Sequence, residues 1–154
     1  TLKAEISGGF KELSVSYADV GSDHLVLFLD DEINKAVLGG RSIEEIDVNT
    51  IGAELRNHFE FQPRGANVNF VQPAKGSEIR IRTYERGVER ETLACGTGVI
   101  SSAIIYALDR SAKPPVTVQV ESGEKLMVDF KLSSGKISEL SLIGSAKKIG
   151  EGEF

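Results

Sequence analysis

Cys95-Gly96-Thr97-Gly98-Val99-Ile100-Ser101-Ser102-Ala103-Ile104-Ile105-Tyr106-Ala107-Leu108 opens on the only cysteine of a 154-residue chain. Beyond the Gly-Thr-Gly turn, Val99–Leu108 is helical in composition, and its polar interruptions, Ser101 and Ser102, are both small. A surface helix shows a wide polar face. This one is apolar nearly all round and is expected to be buried. Strand signals lie on both sides of it, six or seven in all. The economical arrangement is a strongly curved mixed β-sheet, barrel-like, wrapped around one central apolar helix. The fold class is therefore α+β, with Cys95 at the mouth where the helix begins. Arg110 closes the last turn, where a cation suits the helix dipole.

The strands are read from alternation and turn residues. Leu13–Tyr17 and Leu25–Phe28 are expected strands, the second so apolar that both its faces should be covered. Asp30–Lys35 and Gly39-Gly40 read as loop. Asp47 or Asn49 can cap a short helix bearing Ile51, Leu55 and His58 on one side. Ala66–Gln72 alternates. In Glu78–Arg86, Ile79, Ile81 and Thr83 face one way and Arg80, Arg82, Tyr84 and Arg86 the other. After Pro114-Pro115 come Val116–Val120, Lys125–Lys131 and Ile137–Ile143, joined by Ser122-Gly123 and Ser133-Ser134-Gly135.

Composition excludes several classes. With 40% hydrophobic and 27% charged residues the chain has the profile of one folded domain, expected to span 1–154. A formal charge of -5 and the lack of a Lys/Arg cluster argue against nucleic acid as a partner. No apolar run approaches the roughly 20 residues of a membrane span, and no signal-peptide core precedes the first strand. A single cysteine forms no internal disulfide and suits a reducing cytoplasm, the expected location. Two distant histidines, His24 and His58, with one cysteine make no metal site. A chain opening on Thr1, without an initiator Met, reads as a fragment.

The start of a helix presents free backbone N–H groups and the positive end of its dipole. Cys95 placed there is favoured as thiolate, and the same N–H groups can hold a carboxylate. Glu91-Thr92-Leu93-Ala94-Cys95-Gly96-Thr97-Gly98 thus reads as half of an active site: a basic sulfur beside an anion cradle. Taken alone, Glu85 and Arg86 are a solvated strand end, His24 and His58 are structural histidines, and Asp30-Asp31-Glu32 is a solvated acidic loop.

Four segments in order carry a resemblance. Gly21-Ser22-Asp23-His24-Leu25-Val26, Gly65-Ala66-Asn67-Val68-Asn69-Phe70-Val71, Tyr84-Glu85-Arg86-Gly87 and Glu91–Gly98 are similar to the Gly-Asn-Pro-His, Asn-Val-Asn-Phe, Glu-Arg-Gly and Cys-Gly-Thr-Gly segments of the diaminopimelate epimerase family. The likeness covers most of residues 13–154 and corresponds to the C-terminal half of that two-domain enzyme. It implies the interconversion of LL- and meso-diaminopimelate, in lysine and peptidoglycan biosynthesis, without pyridoxal phosphate or any other cofactor. Two cysteines, one from each half, face across a cleft; one removes the α-proton and the other delivers a proton to the opposite face. Carried over by motif, Cys95 is one acid/base, His24 and Glu85 belong to the catalytic group, and Gly96 and Thr97 hold the reacting carboxylate. Glu85 would bind the ammonium, Arg86 the distal carboxylate in a forked contact, and Asn67 and Ser22 the substrate.

Three departures stand out. Ser22 replaces the family's asparagine and Asp23 its proline. The link Gly87–Glu91 is one residue longer than the commoner form, so the path from Arg86 to Cys95 must bulge. Two other readings stay open: a different cofactor-independent amino-acid racemase of the same fold, and a non-catalytic binding or assembly domain. The implied partners are the small-molecule substrate and the N-terminal half, which would carry the second cysteine. The tail, 144–154, is expected to pair with that half and, without it, either to be disordered or to pair with another copy, giving a homodimer by strand exchange.

Overall fold

The computed structural model describes residues 1–6, 8–146, 148 and 150–152. The first two strands, β1 (Leu2–Ile6) and β2 (Gly9–Leu13), form an antiparallel hairpin. Then come β3 (Ser16–Asp19), β4 (Asp23–Phe28), helix α1 (Glu32–Leu38), helix α2 (Val48–Arg56), β5 (Asn67–Pro73), β6 (Glu78–Glu85) and β7 (Arg90–Thr92). Helix α3 (Gly96–Arg110) precedes β8 (Val116–Gln119), β9 (Lys125–Ser133) and β10 (Lys136–Ile143). Seven strands run in the order β10-β9-β8-β6-β5-β4-β3, and β7 lies beside the end of β6. The sheet is mixed: β4 with β5 and β6 with β8 are parallel, and the remaining pairs are antiparallel.

Period-two alternation decides what each face covers. Val26, Phe28, Val71, Ile79 and Ile81 point to α3 and pack with Val99, Ala103 and Ile104. Leu25, Leu27, Val68, Phe70 and Tyr84 point the other way, into a second core with the β1–β2 hairpin, Leu38 of α1 and Ile51 and Leu55 of α2. Both faces of β4 are therefore buried, as its unbroken apolar run requires. Each such side chain removed from water contributes about 1.5–3 kcal/mol. Strands β3, β4, β5, β6, β8 and β9 all touch α3, so the sheet curls around that helix as expected. Leu108 alone departs clearly from the all-round burial, standing half exposed.

Several elements differ from the sequence reading. Asp31 to Lys35 is not loop but the start of α1: the Asp31 carboxylate accepts from the N–H groups of Ile33 and Asn34, and Gly39 ends the helix at a left-handed φ of 73°. The buried Asn34 amide ties that helix down by bonding Ser14 O at 2.8 Å and Phe28 O at 3.0 Å. Asp47 caps α2 as expected, but the helix ends at Arg56, so His58 lies beyond it and bonds Lys3 O at 2.9 Å. Leu13–Tyr17 is not one strand; β2 ends at Leu13 and β3 begins at Ser16. Tyr84 faces the same side of β6 as Arg80 and Arg82, as expected, but is buried there against Gly52 of α2, where no Cβ obstructs it. The long link after Arg86 does bulge, with Gly87 and Glu89 at φ of 91° and 58°, and returns as β7.

Strands β9 and β10 leave Met127, Leu132, Ile137, Leu140, Leu142 and Ile143 substantially exposed. No helix among the described residues is long and apolar enough to cross a membrane. Within the tail, 147, 149, 153 and 154 lie outside the described residues, and the expectation that 144–154 pairs with another segment falls partly on them.

Candidate active site at the mouth of the sheet

The same alternation that buries Val26, Val71 and Ile81 against α3 places polar residues one step further along each strand. His24 precedes Val26 on β4, Asn67 and Asn69 precede Val71 on β5, and Thr83 and Glu85 follow Ile81 on β6. Because β4 and β5 are parallel and β6 is antiparallel to them, these residues gather at one end of the sheet. Helix α3 begins at that end. The apolar lining of the concave face thus gives way to a polar patch beneath the first turn of the central helix.

Cys95 is the residue immediately before that turn, with an extended backbone (φ -132°, ψ 108°) and 8% of its surface exposed. The first bond of the helical ladder runs from Val99 N to Cys95 O at 2.9 Å. The N–H groups of Gly96, Thr97 and Gly98 come before it and have no helical partner. Gly96 is exposed and Thr97 half-buried, so the cradle opens outward. The Thr97 hydroxyl lies 3.6 Å from Cys95 Sγ. Leu142 of β10 runs beside this turn, its Cδ2 3.6 Å from where a Cβ on Gly96 would stand.

His24 is wholly buried and surrounded by hydrogen-bonding groups. Its Nε2 lies 2.9 Å from both Ser22 Oγ and Thr97 Oγ1, and its Nδ1 lies 3.0 Å from Asn69 Nδ2. Burial, followed by the nearby charge of Arg86, pushes its pKa down from 6.5 to about 4, so the imidazole is neutral at physiological pH. Ser22 thereby meets His24 and Thr97 within the protein, a role its short hydroxyl reaches in place of an amide. The Asn67 amide is engaged at both ends, accepting from Arg86 N at 2.9 Å and donating to Asp23 O at 3.0 Å. It holds the chain carrying Arg86 against β4.

Glu85 ends β6 with its carboxylate accepting from Thr92 Oγ1 at 2.9 Å, a bond that β7 makes available. Arg86 Nη1 donates to Gly65 O at 2.9 Å and to Asp23 Oδ2 at 3.1 Å. Asp23 also receives Arg64 Nη2 at 3.2 Å and the Tyr17 hydroxyl at 2.6 Å. The Tyr17 hydrogen bond first, with Arg86 and Arg64 behind it, holds the Asp23 carboxyl below the usual carboxylate range. The same contact raises Tyr17. A cavity of about 320 Å³ opens beside this cluster, lined by Tyr17, Asp23, Phe61 and Arg64 among others.

All the sequence-derived site residues thus fall at one end of the molecule: Cys95, Gly96 and Thr97 on the helix start, with Ser22, His24, Asn67, Glu85 and Arg86 from three neighbouring strands and their ends. Reading the sequence did not single out Asn69, Thr83, Tyr17 or Arg64. Asn69 and Thr83 carried a signal nonetheless, as polar residues at positions where alternation demands apolar ones. Among the described residues no group of three or more His, Cys, Asp or Glu side chains is arranged to hold a metal ion.

The sequence pattern of the family described as Diaminopimelate epimerase matches residues 16–149. Curated relatives of that name include one from Aquifex aeolicus (strain VF5), 44% identical over 135 residues, covering 87% of this chain and 47% of the relative. Another, from Hydrogenobaculum sp. (strain Y04AAS1), is 36% identical over 149 residues, covering 96% and 49%. The chain spans about half the length of the curated relatives it matches. Among solved structures, a PhzF-family phenazine biosynthesis protein of Bacillus anthracis aligns over 88% of this chain and 36% of its own, with 18% identity and a TM-score of 0.48.

Proposed function

We propose, from the premise that this chain belongs to the diaminopimelate epimerase family, that it forms one wall of a cofactor-independent epimerase cleft. The reaction is the interconversion of LL- and meso-diaminopimelate, a step of lysine and peptidoglycan biosynthesis. The observation that carries this reading is the convergence of Cys95, the open N–H groups of Gly96 and Thr97, and the Glu85-Arg86 pair at one end of the sheet.

Cys95 exchanges a proton with the substrate α-carbon from one face. Negative charge then builds on the α-carboxylate, where the helix-start N–H groups stabilise it most, in the transition state. Glu85 neutralises the α-ammonium, and Arg86 takes the distal carboxylate. Asn67 acts at one remove, by holding Arg86 N, and Ser22 and His24 support Thr97. Inversion needs a second acid/base on the opposite face, which we assign to a second cysteine of a partner half of the enzyme. The exposed apolar residues of β9 and β10 suit a surface covered by that half.

One observation favours a second reading, an epimerase of another amino acid. Asp23 already occupies Arg86, so the distal end of the substrate need not be a free carboxylate. A panel of α-amino acids, offered to this chain assembled with a cysteine-bearing partner half, separates the two. Inversion of diaminopimelate well above neutral or monocarboxylic competitors is expected; a preference for the latter would replace the substrate assignment and leave the thiol mechanism standing.

A further inference from the structure

We propose that Asn69, anchored by Thr83, sets the tautomer of His24, so that the imidazole acts on Cys95 as a hydrogen-bond donor through the Thr97 hydroxyl and not as its base. The inference rests on the epimerase reading only for its purpose; its geometry stands alone.

The orientation of the Asn69 amide follows from its partners. One of its terminal atoms lies 2.9 Å from the carbonyl oxygen of Leu25, which can only accept, so that atom is Nδ2. Oδ1 in turn accepts from Thr83 Oγ1 at 2.9 Å. The second N–H of Nδ2 is directed at His24 Nδ1, 3.0 Å away. Nδ1 must therefore present a lone pair, and a neutral ring then carries its proton on Nε2. Both hydroxyls within 2.9 Å of Nε2 can accept that proton. Asn67 Nδ2 donates to Asp23 O at 3.0 Å and lies 3.4 Å from Nε2, farther than either hydroxyl.

Once Thr97 Oγ1 accepts from His24, its own hydrogen is free to turn to Cys95 Sγ at 3.6 Å, within reach of a sulfur acceptor. A hydroxyl hydrogen aimed at the sulfur holds it in place for attack and stabilises the charge it carries in the reaction. Were the proton on Nδ1 instead, Nε2 would accept from Thr97 or Ser22, and the Thr97 hydrogen would be shared between Nε2 and Sγ. The approach of Asn69 to the helix start depends on Gly98, where a Cβ would stand 2.5 Å from Asn69 Oδ1. Asn69, His24 and Thr83 are buried almost completely, so water does not compete for these bonds. Asn69 and Thr83 are positioning residues.

The test reads the ring nitrogens directly. In the chain labelled with ¹⁵N-histidine, long-range ¹H–¹⁵N correlation at neutral pH is expected to show His24 as the Nε2–H tautomer; an Nδ1–H ring overturns the proposal without any variant. Asn69→Leu is expected to give a mixture of tautomers, and Asn69→Ala supplies the same readout should the leucine prevent folding. An undiminished Nε2–H preference in the variant that folds would show that Asn69 does not set it. Thr97→Val is expected to slow alkylation of Cys95 at neutral pH several-fold with the His24 tautomer unchanged, and Thr97→Ser to restore the rate. Alkylation of Thr97→Val at the wild-type rate overturns the link to sulfur. None of these readouts requires turnover, so their failure is distinct from failure of the epimerase reading.

Discussion

With its carboxylate shared between Arg86 Nη1 at 3.1 Å and Arg64 Nη2 at 3.2 Å, Asp23 stands where a distal substrate carboxylate would have to compete. Asp23→Asn keeps the shape and removes the competitor. A several-fold gain in affinity for a dicarboxylic substrate is expected by calorimetry, against a loss of about 1–3 kcal/mol in stability from the arginines and Tyr17. Affinity that falls with the substitution would instead make Asp23 a ligand of the substrate. His24 gives a pH signature. Its pKa falls from 6.5 unfolded to about 4 folded, so below 6.5 the unfolded chain takes up a proton that the folded one refuses. Its contribution to stability is whole above pH 6.5 and is lost as pH falls to about 4, a total on the order of 3 kcal/mol at about 1.4 kcal/mol per unit. Urea midpoints measured across that window should decline, and His24→Gln should flatten the decline; an equal slope in the variant would assign it to other groups. Cys95, His24, Glu85 and Arg86, each in a short motif, could be named as candidates from the sequence, and the fold brings them to one end of the sheet. Asn69 and Thr83 were not, since a buried polar residue shows its meaning only when the neighbouring strand supplies its partner.

Among the elements, α3 was the most legible, because a helix apolar on every side has one place to go. Its start at Gly96 and its end at Arg110 extend the expected segment by only a few residues. Helix α1 was hidden because Asp30-Asp31-Glu32 has the composition of a loop. Its identity rests on the Asp31 cap and on Asn34, whose partners lie on other elements. The β1–β2 hairpin and β7 are short and draw their order from the surfaces they cover. The contact of α2 with β6 was illegible for a further reason, that Tyr84 alternates in register with Arg80 and Arg82. It is buried on that face because α2 covers its end of the strand and Gly52 makes room: a Cβ there would stand 2.5 Å from Tyr84 Cβ, an atom close to the backbone and unable to swing away. Alanine gains about 1 kcal/mol over glycine in a helix, but overpacking costs about 1–3 kcal/mol. A net loss is therefore expected for Gly52→Ala, seen as a lower Tm. An unchanged or raised Tm would mean that α2 slides freely on β6.

At the scale of the whole molecule, the curled sheet closes around α3 on one side and leaves the Cys95 end and the β9–β10 surface open. The exposed apolar residues of β9 and β10 were not legible in the sequence, since no local pattern distinguishes an apolar face that another chain covers from a solvated one. The consequence is chemical. A single thiol reaches one face of the α-carbon, and an uncovered cleft leaves the developing charge in water, where hydrogen bonds are weakened. Positioning, which can be worth roughly 7–11 kcal/mol of barrier, is also lost. This chain by itself is therefore expected not to epimerise. The most direct test follows deuterium from solvent into the α-carbon of LL-diaminopimelate by NMR, together with formation of the meso isomer. Neither should occur with this chain alone, both should appear when a cysteine-bearing partner half is added, and Cys95→Ala should abolish them. Deuterium incorporation and inversion that persist undiminished in Cys95→Ala would contradict the central claim that Cys95 moves the proton.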